Sequence, residues 1–501
     1  MMPTPSIRTP RLSAAALVRR LVEDPRKDER AGVAYRQLAV QIREAALDGR
    51  IASGSALPSE RELAAALTIS RTTVAAGYAL LREQGWLHSR QGAPSRLIVP
   101  GVPVGASPAF GMEYAQSLIA STMTSAGVAP IDLGVASLPA PEDHLRRAAA
   151  AALADLDGYL AADGYHPYGL PQLRERIAQQ YTDEGVPTSP DQILITSGAQ
   201  HGLSLALQEL TLPGDRVLVE GPTYPTALDA VRAGHRIPAT LPLVVGDEHP
   251  WDLELLAAIL RSSAPRLAYL IPDLQNPTGA VMSEQDRSEI VDLLGRAGCP
   301  VVVDESFRSL VGPGFPSSMA GFGAADRVLA IGSVSKPFWG GLRVGWVRTA
   351  PGIVDRLAAA RALTDMAGPV LEQLVATHLL ADPAGAVAVQ NARLDRSRAA
   401  ALAALAEHLP HWSVARPVGG VTLWITLPGP YAGELARRAL QVGVRIVPGT
   451  RFGADGTMEN HLRMPVTAPA ELLVEAVRRL ALVDHEASVG HRSPASGDRV
   501  V

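Results

Sequence analysis

The chain has 501 residues, which is too long for one ordinary domain and fits two to four. Its 46 Lys+Arg against 50 Asp+Glu make it nearly neutral, which excludes a uniformly basic nucleic-acid-binding surface but leaves room for a local basic module. A single cysteine, Cys299, excludes an intramolecular disulfide and a cysteine-based metal cage. Since an apolar run of about 18 residues is also missing, we expect a soluble cytoplasmic protein with no metal site and no membrane contact.

Residues 1–33 predict an N-terminal extension. The segment is Pro-rich at its start, helical around residues 12–22 and charged after that, so we expect it to be loosely attached. It contains arginines but no continuous apolar core, which makes it a poor signal peptide.

Residues 34–98 predict a compact block of helices followed by a wing. Ser59 and Glu62 form a capping box at the start of one short helix, after an amphipathic helix. Ser70 caps the next helix after a three-residue break. Two short helices joined by a tight turn are a helix-turn-helix, and residues 86–99 are expected to form a two-stranded wing.

The second helix of this motif would lie in the major groove of DNA with its first residues at the base edges. Those residues are Arg71, Thr72 and Thr73: arginine pairs with guanine or phosphate, and threonine reaches phosphate oxygens. Ser59 and Arg61 complete the predicted DNA-contacting set. The block has eight Lys/Arg and five Asp/Glu, a surplus of the right sign. A small protein–protein module is the alternative that the pattern alone leaves open.

The stretch from YRQLAVQ to EQGWL resembles the winged helix-turn-helix of GntR-type bacterial regulators. The match runs through almost the whole block and implies double-stranded operator DNA as a partner. The tip of the wing departs from that family, since QGAPSRL replaces a Gly-Ser-Gly-like hairpin and leaves Arg90 and Arg96 as its candidate contacts.

Residues 99–129 are predicted to form a Pro/Gly-rich linker that contains a short helix around residues 112–124. Beyond it, strand-like runs such as QILITS, RVLVEG and VVVDES alternate with helical stretches. This alternation predicts an α/β domain, residues 130–484, with a mostly parallel sheet covered by helices on both faces. Residues 385–484 predict a smaller α+β part of that domain, and residues 485–501 a disordered tail.

The motif SVSKPFWGGLR places a lysine among small residues, with an arginine seven positions later. Lys336 is suited to form a Schiff base with a carbonyl cofactor, and Ser333, Ser335 and Arg343 are suited to bind a phosphate on that cofactor. An ordinary surface lysine is the competing interpretation of this motif taken alone.

Three further motifs suit a pyridine ring. Asp304 ends the apolar run VVVD, where it would keep a pyridine nitrogen protonated. Asn276 lies in the turn PDLQNPTG and would donate to the 3-oxygen of the ring, while Tyr224 in EGPTYPT would stack on it. Each residue taken singly also fits an ordinary turn or core role.

Two more motifs suit anions. Gly198, Ala199 and Gln200 follow the strand ITS, so their amides would cradle a phosphate at a helix N-terminus. Arg463 in HLRMPV is suited to clamp the carboxylate of a substrate.

In this order and at these separations, the motifs resemble fold-type I aminotransferases over residues 130–484. The resemblance implies pyridoxal 5'-phosphate (PLP) as the cofactor, with Lys336 and Asp304 as its catalytic residues and Arg463 as the carboxylate anchor. Tyr165 in GYHPYGLPQLR matches the tyrosine that reaches the phosphate of the neighbouring subunit, which implies a homodimer. A GntR-type domain fused to such a domain is the layout of the MocR family of regulators.

One position departs from the aminotransferase pattern. A tyrosine usually follows the ring-binding aspartate by two or three residues, where this chain has Ser306 and Phe307. Loss of that phenol would cost about 0.5–1.5 kcal/mol if water substitutes. We expect weakened transamination and retained cofactor binding.

Three functions follow from these motifs. The leading hypothesis is a PLP-dependent transcriptional regulator whose aminotransferase-like domain senses an amine, an amino acid or PLP by aldimine formation. An active aminotransferase that carries a DNA-binding domain is the alternative, and a PLP-binding dimeriser without an effector is the third. The complete helix-turn-helix favours the first over the second, and the set of Lys336, Asp304 and Arg463 favours both over the third.

Overall fold

The computed structural model describes residues 11–21, 31–88, 94–98, 130–312, 314–415 and 417–491. The predicted linker helix at residues 112–124, the tip of the wing and the rest of the linker lie outside these ranges. None of the helices in the described ranges is both long and apolar enough to cross a bilayer.

The described part of the DNA-binding domain has four helices and a two-stranded wing. They are α1 Ala14–Arg19, α2 Ala31–Leu47, α3 Glu60–Leu67, α4 Arg71–Glu83, and the antiparallel strands β1 Leu87–His88 and β2 Arg96–Leu97. Ser59 begins α3 with the predicted capping box, and Ser70 begins α4 by accepting a hydrogen bond from the Thr73 amide at 3.0 Å. Thr68 ends α3 in the left-handed region, with φ 56°, and so turns the chain between the two helices.

The prediction of a loosely attached N-terminal extension is wrong for residues 11–21. Leu12 and Leu17 are 2% and 0% exposed, because α1 packs its apolar side into the core of the DNA-binding domain. Arg20 is buried as well, and its guanidinium donates to Asp252 of the following domain at 2.8 Å. A buried charge needs such a partner, so this pair fixes the segment in place.

A seven-stranded sheet forms the centre of the described large domain. The strands are β4 Ile193–Thr196, β5 Arg216–Gly221, β6 Ile237–Pro242, β7 Leu267–Leu270, β8 Val301–Asp304, β9 Val328–Ser333 and β10 Gly345–Arg348. Their order in the sheet is β4-β10-β9-β8-β7-β5-β6. Strand β10 is antiparallel to both neighbours, and the other neighbouring pairs are parallel. Strands β4, β7, β8 and β9 are buried along their whole length, as expected of a sheet covered on both faces.

Helices cover this sheet. They are α5 Glu142–Asp155, α6 Pro171–Asp183, α7 Ala199–Leu210, α8 Pro225–Ala233, α9 Leu253–Ser263, α10 Glu284–Arg296, α11 Pro351–Arg361 and α12 Val370–Ala381. Because side chains alternate along each strand, Ala268 and Leu270 of β7 enter one apolar cluster while Leu267 and Tyr269 enter another.

A smaller α+β part follows. It contains α13 Ala384–His408, α14 Ala432–Gln441 and α15 Ala470–His491, with strands β11 Ser413–Val414, β12 Thr422–Thr426, β13 Val444–Arg445, β14 Val447–Pro448 and β15 His461–Pro465. One sheet has the order β11-β12-β15-β14. Strand β3 Ile131–Asp132, the first strand described after the linker, pairs in parallel with β13. The end of the linker is thereby joined to the small part of the domain.

The predicted tail from residue 485 is wrong for its first residues, because α15 continues to His491. Ala487 is 0% exposed and belongs to the apolar cluster of the small part, and Glu486 pairs with Arg438 of α14 at 2.6 Å. Burial of one face of α15 therefore stabilises the helix through the polar residues that follow Asp484. Residues 492–501 lie outside the described ranges.

Candidate functional site

The candidate site is a cavity of about 580 Å³ at the carboxyl ends of the parallel strands. Because these ends meet at one edge of the sheet, residues far apart in sequence line one cavity. The structure brings together there all the predicted cofactor and carboxylate residues other than Tyr165: Gly198, Ala199, Gln200, Tyr224, Asn276, Asp304, Ser333, Ser335, Lys336, Arg343 and Arg463.

Lys336 follows β9 and projects its amine into the cavity. The amine donates to the carbonyl oxygen of Ala136 at 2.8 Å and lies 5.4 Å from the centre of the Phe307 ring. Withdrawal from water, reinforced by the positive charge of Arg463 and opposed by Asp304, lowers the pKa of Lys336 to about 8. A lysine of this kind is neutral, and hence nucleophilic, more often than an exposed one.

Asp304 ends β8, and both of its carboxylate oxygens accept hydrogen bonds from the protein. The Tyr269 phenol donates to Oδ2 at 2.7 Å, and the Ser306 amide donates to Oδ1 at 2.9 Å. Tyr269 is not among the residues predicted from the sequence, although a tyrosine in the aliphatic strand LAYL indicates a buried hydroxyl that needs a hydrogen-bond partner.

The predicted phosphate cradle lies at the start of α7. Gly198 precedes this helix with φ +91°, and a Cβ at that position would lie 2.9 Å from a guanidinium nitrogen of Arg343. Arg343 donates to the Ser197 carbonyl at 2.6 Å, and the Ser197 hydroxyl donates to Asp365 at 3.0 Å. Sequence reasoning missed Ser197 and Asp365, because Asp365 lies 168 positions away in the chain.

The residues of the cavity fit PLP. The side-chain oxygens of Asn276 and Gln200 are buried and have no hydrogen-bond partner in the described part of the chain. Buried amides of this kind are costly unless a ligand or water satisfies them. These oxygens can accept from a ligand hydroxyl, the glycine cradle offers backbone amides as donors for a phosphate, and the lysine of lowered pKa offers an amine nucleophile beside them.

Arg463 closes the other side of the cavity. It lies on β15, is 5% exposed, and donates to the carbonyl oxygen of Gly134. Its guanidinium stands 5.2 Å from the centre of the Phe452 ring. A guanidinium held in this way is a suitable anchor for a carboxylate.

Tyr165 is not brought into the cavity of its own chain. Its side chain is 58% exposed, and its amide donates to Asp163 at 3.0 Å. The predicted role, in the site of a neighbouring subunit, stays a prediction.

The predicted DNA-contacting residues lie at the starts of α3 and α4. Arg71 has a side chain that is 72% exposed, with Nε 3.5 Å from a carboxylate oxygen of Glu60. The hydroxyls of Thr72 and Thr73 lie 2.7 Å and 2.8 Å from that of Ser70. Ser59 is engaged in its capping box, while Arg61 is exposed. Arg71 and Arg61 therefore offer the charged groups of this surface.

Comparison with known families assigns both domains. Residues 129–480 match the family described as aminotransferase class I and II. The chain belongs to this family. Residues 34–97 match the gntR family of bacterial regulatory proteins. A gntR-type DNA-binding domain ahead of an aminotransferase domain is the organisation of the MocR family, as predicted.

Relatives of both kinds are similar to the chain. It is 34% identical over 354 residues, 68% of this chain and 87% of the relative, to a 2-aminoadipate transaminase of Thermus thermophilus. It is 29% identical to YdcR of Escherichia coli, an uncharacterized HTH-type transcriptional regulator, over 83% of this chain and 92% of the relative. It is 26% identical to YdfD of Bacillus subtilis, another uncharacterized HTH-type transcriptional regulator, over 90% of this chain and 96% of the relative.

Solved structures of aminotransferases share the fold of the large domain. LysN, the alpha-aminoadipate aminotransferase of Thermus thermophilus solved with N-(5'-phosphopyridoxyl)-L-leucine, has a TM-score of 0.66 and 29% identity, over 77% of this chain and 96% of that one. An archaeal alanine:glyoxylate aminotransferase has a TM-score of 0.67 and 25% identity, over 76% of this chain and 96% of that one. The family and these structures make PLP the cofactor of the aminotransferase domain.

Proposed function

We propose that this MocR-family chain is a transcriptional regulator in which the PLP site of the aminotransferase domain senses an amine or amino acid and changes operator binding. PLP, when bound, supplies an aldehyde that condenses with amines and a ring that withdraws electrons. Lys336 would hold the cofactor, and Arg463 would hold the carboxylate of an amino-acid effector. An effector changes DNA binding only if it binds two conformations of the protein with different free energies. The cofactor site must therefore contact a segment whose position differs between those conformations.

A short segment directly after the linker supplies one such contact. The carbonyl oxygen of Ala136 accepts from Lys336, and that of Gly134 accepts from Arg463. A carboxylate bound by Arg463 would compete with Gly134 for the same donors. Effector binding would therefore release a segment that continues, through β3, into the linker to the DNA-binding domain.

The observation that carries the proposal is a contact between the segment that leads into β15 and the DNA-binding domain. Asn460 directly precedes β15 and donates its side-chain amide to Asp48, just after α2. The Met458 amide also donates to the Leu47 carbonyl, and the Ser53 amide donates to Asp455 at 3.0 Å. The strand that carries the effector arginine thus begins at the contact with the DNA-binding domain.

A row of rings connects the first residue of this strand, His461, to its central residue, Arg463. The His461 ring stacks on Trp424 with centroids 5.0 Å apart, Trp424 meets Phe452 edge-on at 5.5 Å, and Phe452 lies beside the Arg463 guanidinium. Burial lowers the pKa of His461 to about 4, so its ring stays neutral around pH 7. Titration of this ring therefore gives the contact no pH dependence in the physiological range.

Substitution of the contact tests this proposal. We expect Asn460→Ala to leave effector-free operator affinity within about twofold of the parent, since the DNA-binding surface is distant. The ratio of operator affinities with and without effector should fall several-fold, because couplings of this kind are worth about 1–3 kcal/mol and one hydrogen bond about 0.5–1.5 kcal/mol. Gel-shift titration with and without a panel of amines measures both quantities.

Asp395→Ala is the matched control for Asn460→Ala. It removes the ion pair between Asp395 and Arg398, whose charged atoms lie 2.8 Å apart, in the same small part of the domain. The Asp395 side chain is 72% exposed. The control should retain the parental response. A full effector response in Asn460→Ala would refute the proposed route.

The DNA-binding surface gives an independent prediction. Arg71→Ala should weaken operator binding by about tenfold to 150-fold, because a base-edge contact is worth about 1–3 kcal/mol. The visible spectrum of the bound cofactor should stay unchanged. Arg146→Ala, which removes a side chain that is 75% exposed on α5, is the control for lost positive charge. Parental affinity of Arg71→Ala at the same salt concentration would mean that α4 does not read the operator.

We further propose a homodimer that acts in the cytoplasm, where its operator is. Exposed apolar side chains support a subunit interface: Leu160 is 68% exposed and Leu363 is 85% exposed. Tyr165 on the same chain is exposed and available to a neighbouring subunit. Two DNA-binding domains per particle would raise the effective concentration at paired half-sites.

Enzymatic transamination is the second candidate function, and the lowered pKa of Lys336 favours it. Phe307 argues against efficient turnover. Its ring is 6% exposed and packs in the apolar cluster that contains Leu310, so this position offers no hydroxyl to the cofactor. We therefore place sensing first.

A further inference from the structure

We propose that Tyr269 is a positioning residue of the cofactor site, which holds the carboxylate of Asp304 in the orientation that the cofactor needs. Tyr269 lies on β7, and Asp304 ends the neighbouring strand β8. The Tyr269 side chain is fully buried, and its phenol donates to Oδ2 of Asp304 at 2.7 Å. The inference rests on the PLP site alone and holds whether or not the chain senses an effector.

Asp304 needs such a donor because its carboxylate is 9% exposed. Burial disfavours the charged form of a carboxylate, whereas hydrogen bonds to its oxygens favour that form. The Ser306 amide supplies one donor, at 2.9 Å from Oδ1, and Tyr269 supplies the other, at Oδ2. The two donors lie on different oxygens, so together they fix the plane of the carboxylate.

The high pKa of the Tyr269 phenol makes it the donor in its hydrogen bond with Asp304. Burial, and then the negative charge of Asp304, raises the pKa of Tyr269 well above its usual range. The phenol therefore keeps its proton at any physiological pH and acts as a permanent donor. Asp304 is then the acceptor, as its role toward the ring nitrogen of PLP requires.

Loss of the phenol has a consequence beyond stability. Without it, Oδ2 of Asp304 would lose its donor, and the carboxylate would no longer be held in a fixed plane toward the position that the ring nitrogen of PLP would occupy. A bound ring that was less firmly paired with Asp304 would carry less positive charge, and Nζ of Lys336 would then be more basic in the holoprotein. Tyr269→Phe should therefore weaken PLP binding about tenfold and raise the pH midpoint of the visible absorption band by about half a unit or more.

The chain offers a matched control. Tyr431 is also buried, at 2% exposed, and its phenol donates to Asp484 at 2.9 Å, in the small part of the domain. Tyr431→Phe removes the same kind of bond without touching the cofactor cavity. The experiment compares the parent, Tyr269→Phe and Tyr431→Phe by PLP titration, by the pH dependence of the visible band and by the Tm of the apoprotein.

We expect both variants to lose a similar amount of apoprotein Tm. Only Tyr269→Phe should also bind PLP more weakly and show a raised pH midpoint of the visible band. Parental PLP affinity and midpoint in Tyr269→Phe would overturn the proposal, as would equal losses of PLP affinity in both variants.

A double variant keeps the test decisive if Tyr269→Phe alone does not fold. The combination of Tyr269→Phe with Asp304→Asn removes the buried charge that the phenol stabilises. Recovery of a folded apoprotein in the double variant would support the proposal, and failure to recover would overturn it. If both single variants fold, Tyr269→Phe should have no further effect on PLP affinity in the Asp304→Asn background.

Discussion

A Lys336→Ala variant is expected to lose the visible absorbance of the holoprotein and its response to amines, while it still binds operator DNA. The chain has only two lysines, Lys27 and Lys336, so the assignment is unusually direct. Borohydride treatment of the parent, followed by peptide mapping, should place the cofactor on Lys336. Effector-free operator affinity should stay within about twofold of the parent, because α4 shares no residue with the cofactor cavity.

Lys27→Ala serves as the matched control for Lys336→Ala and should keep both colour and response. An adduct on Lys27, or none on either lysine, would refute the assigned cofactor site. An unchanged amine response in Lys336→Ala would not contradict the assigned cofactor site, but it would show that aldimine formation at Lys336 is not how the protein senses amines.

Arg463→Gln is expected to separate recognition of the carboxylate from recognition of the amine. Hydrogen bonds between charged groups are worth about 1.5–3 kcal/mol, so the concentration of amino acid needed for half of the response should rise about tenfold to 150-fold. The corresponding decarboxylated amine should act on the variant as it acts on the parent. Gel-shift titrations with each pair of ligands give the comparison.

Equal losses for the amino acid and its decarboxylated amine would contradict the role of Arg463 as a carboxylate anchor. They would indicate instead that the substitution disturbs the cavity, where Arg463 also acts on Lys336 and contacts Gly134. The visible spectrum of the variant distinguishes these cases, since a disturbed cavity would change it before any ligand is added.

The sequence predicts the elements of this protein where local chemistry dictates them. The capping box at Ser59 and the cap at Ser70 appear as expected, because each depends on atoms three residues apart. The cavity residues also meet as expected, because strands of a parallel sheet end at one edge.

Long-range contacts escaped the sequence analysis. Nothing local marks Gly134 or Ala136 as acceptors for Arg463 and Lys336, since both contacts depend on the pairing of β3 with β13. The packing of α1 and the extension of α15 were missed for the same reason, because each is stabilised by a distant partner, Asp252 for α1 and Arg438 for α15.

The contact between Asp48 and Asn460 joins two domains that the sequence predicts separately. Each residue alone resembles an ordinary surface group: Asp48 follows α2, and Asn460 precedes β15. Only the folded chain shows that the strand of Arg463 begins at the DNA-binding domain. The proposed route from effector to operator therefore depends on the tertiary structure and could not be predicted from the sequence.

The central claim is that amine binding at the PLP site changes operator affinity without multiple turnover. Its most direct test is a titration of the PLP-loaded parent with amines and amino acids, in which operator affinity and keto-acid formation are measured in the same samples. The account predicts at least one ligand that shifts operator affinity about fivefold or more, with no more than about one keto acid per site. Operator affinity that no ligand changes, together with keto acid formed over many turnovers, would contradict it and make the chain an aminotransferase.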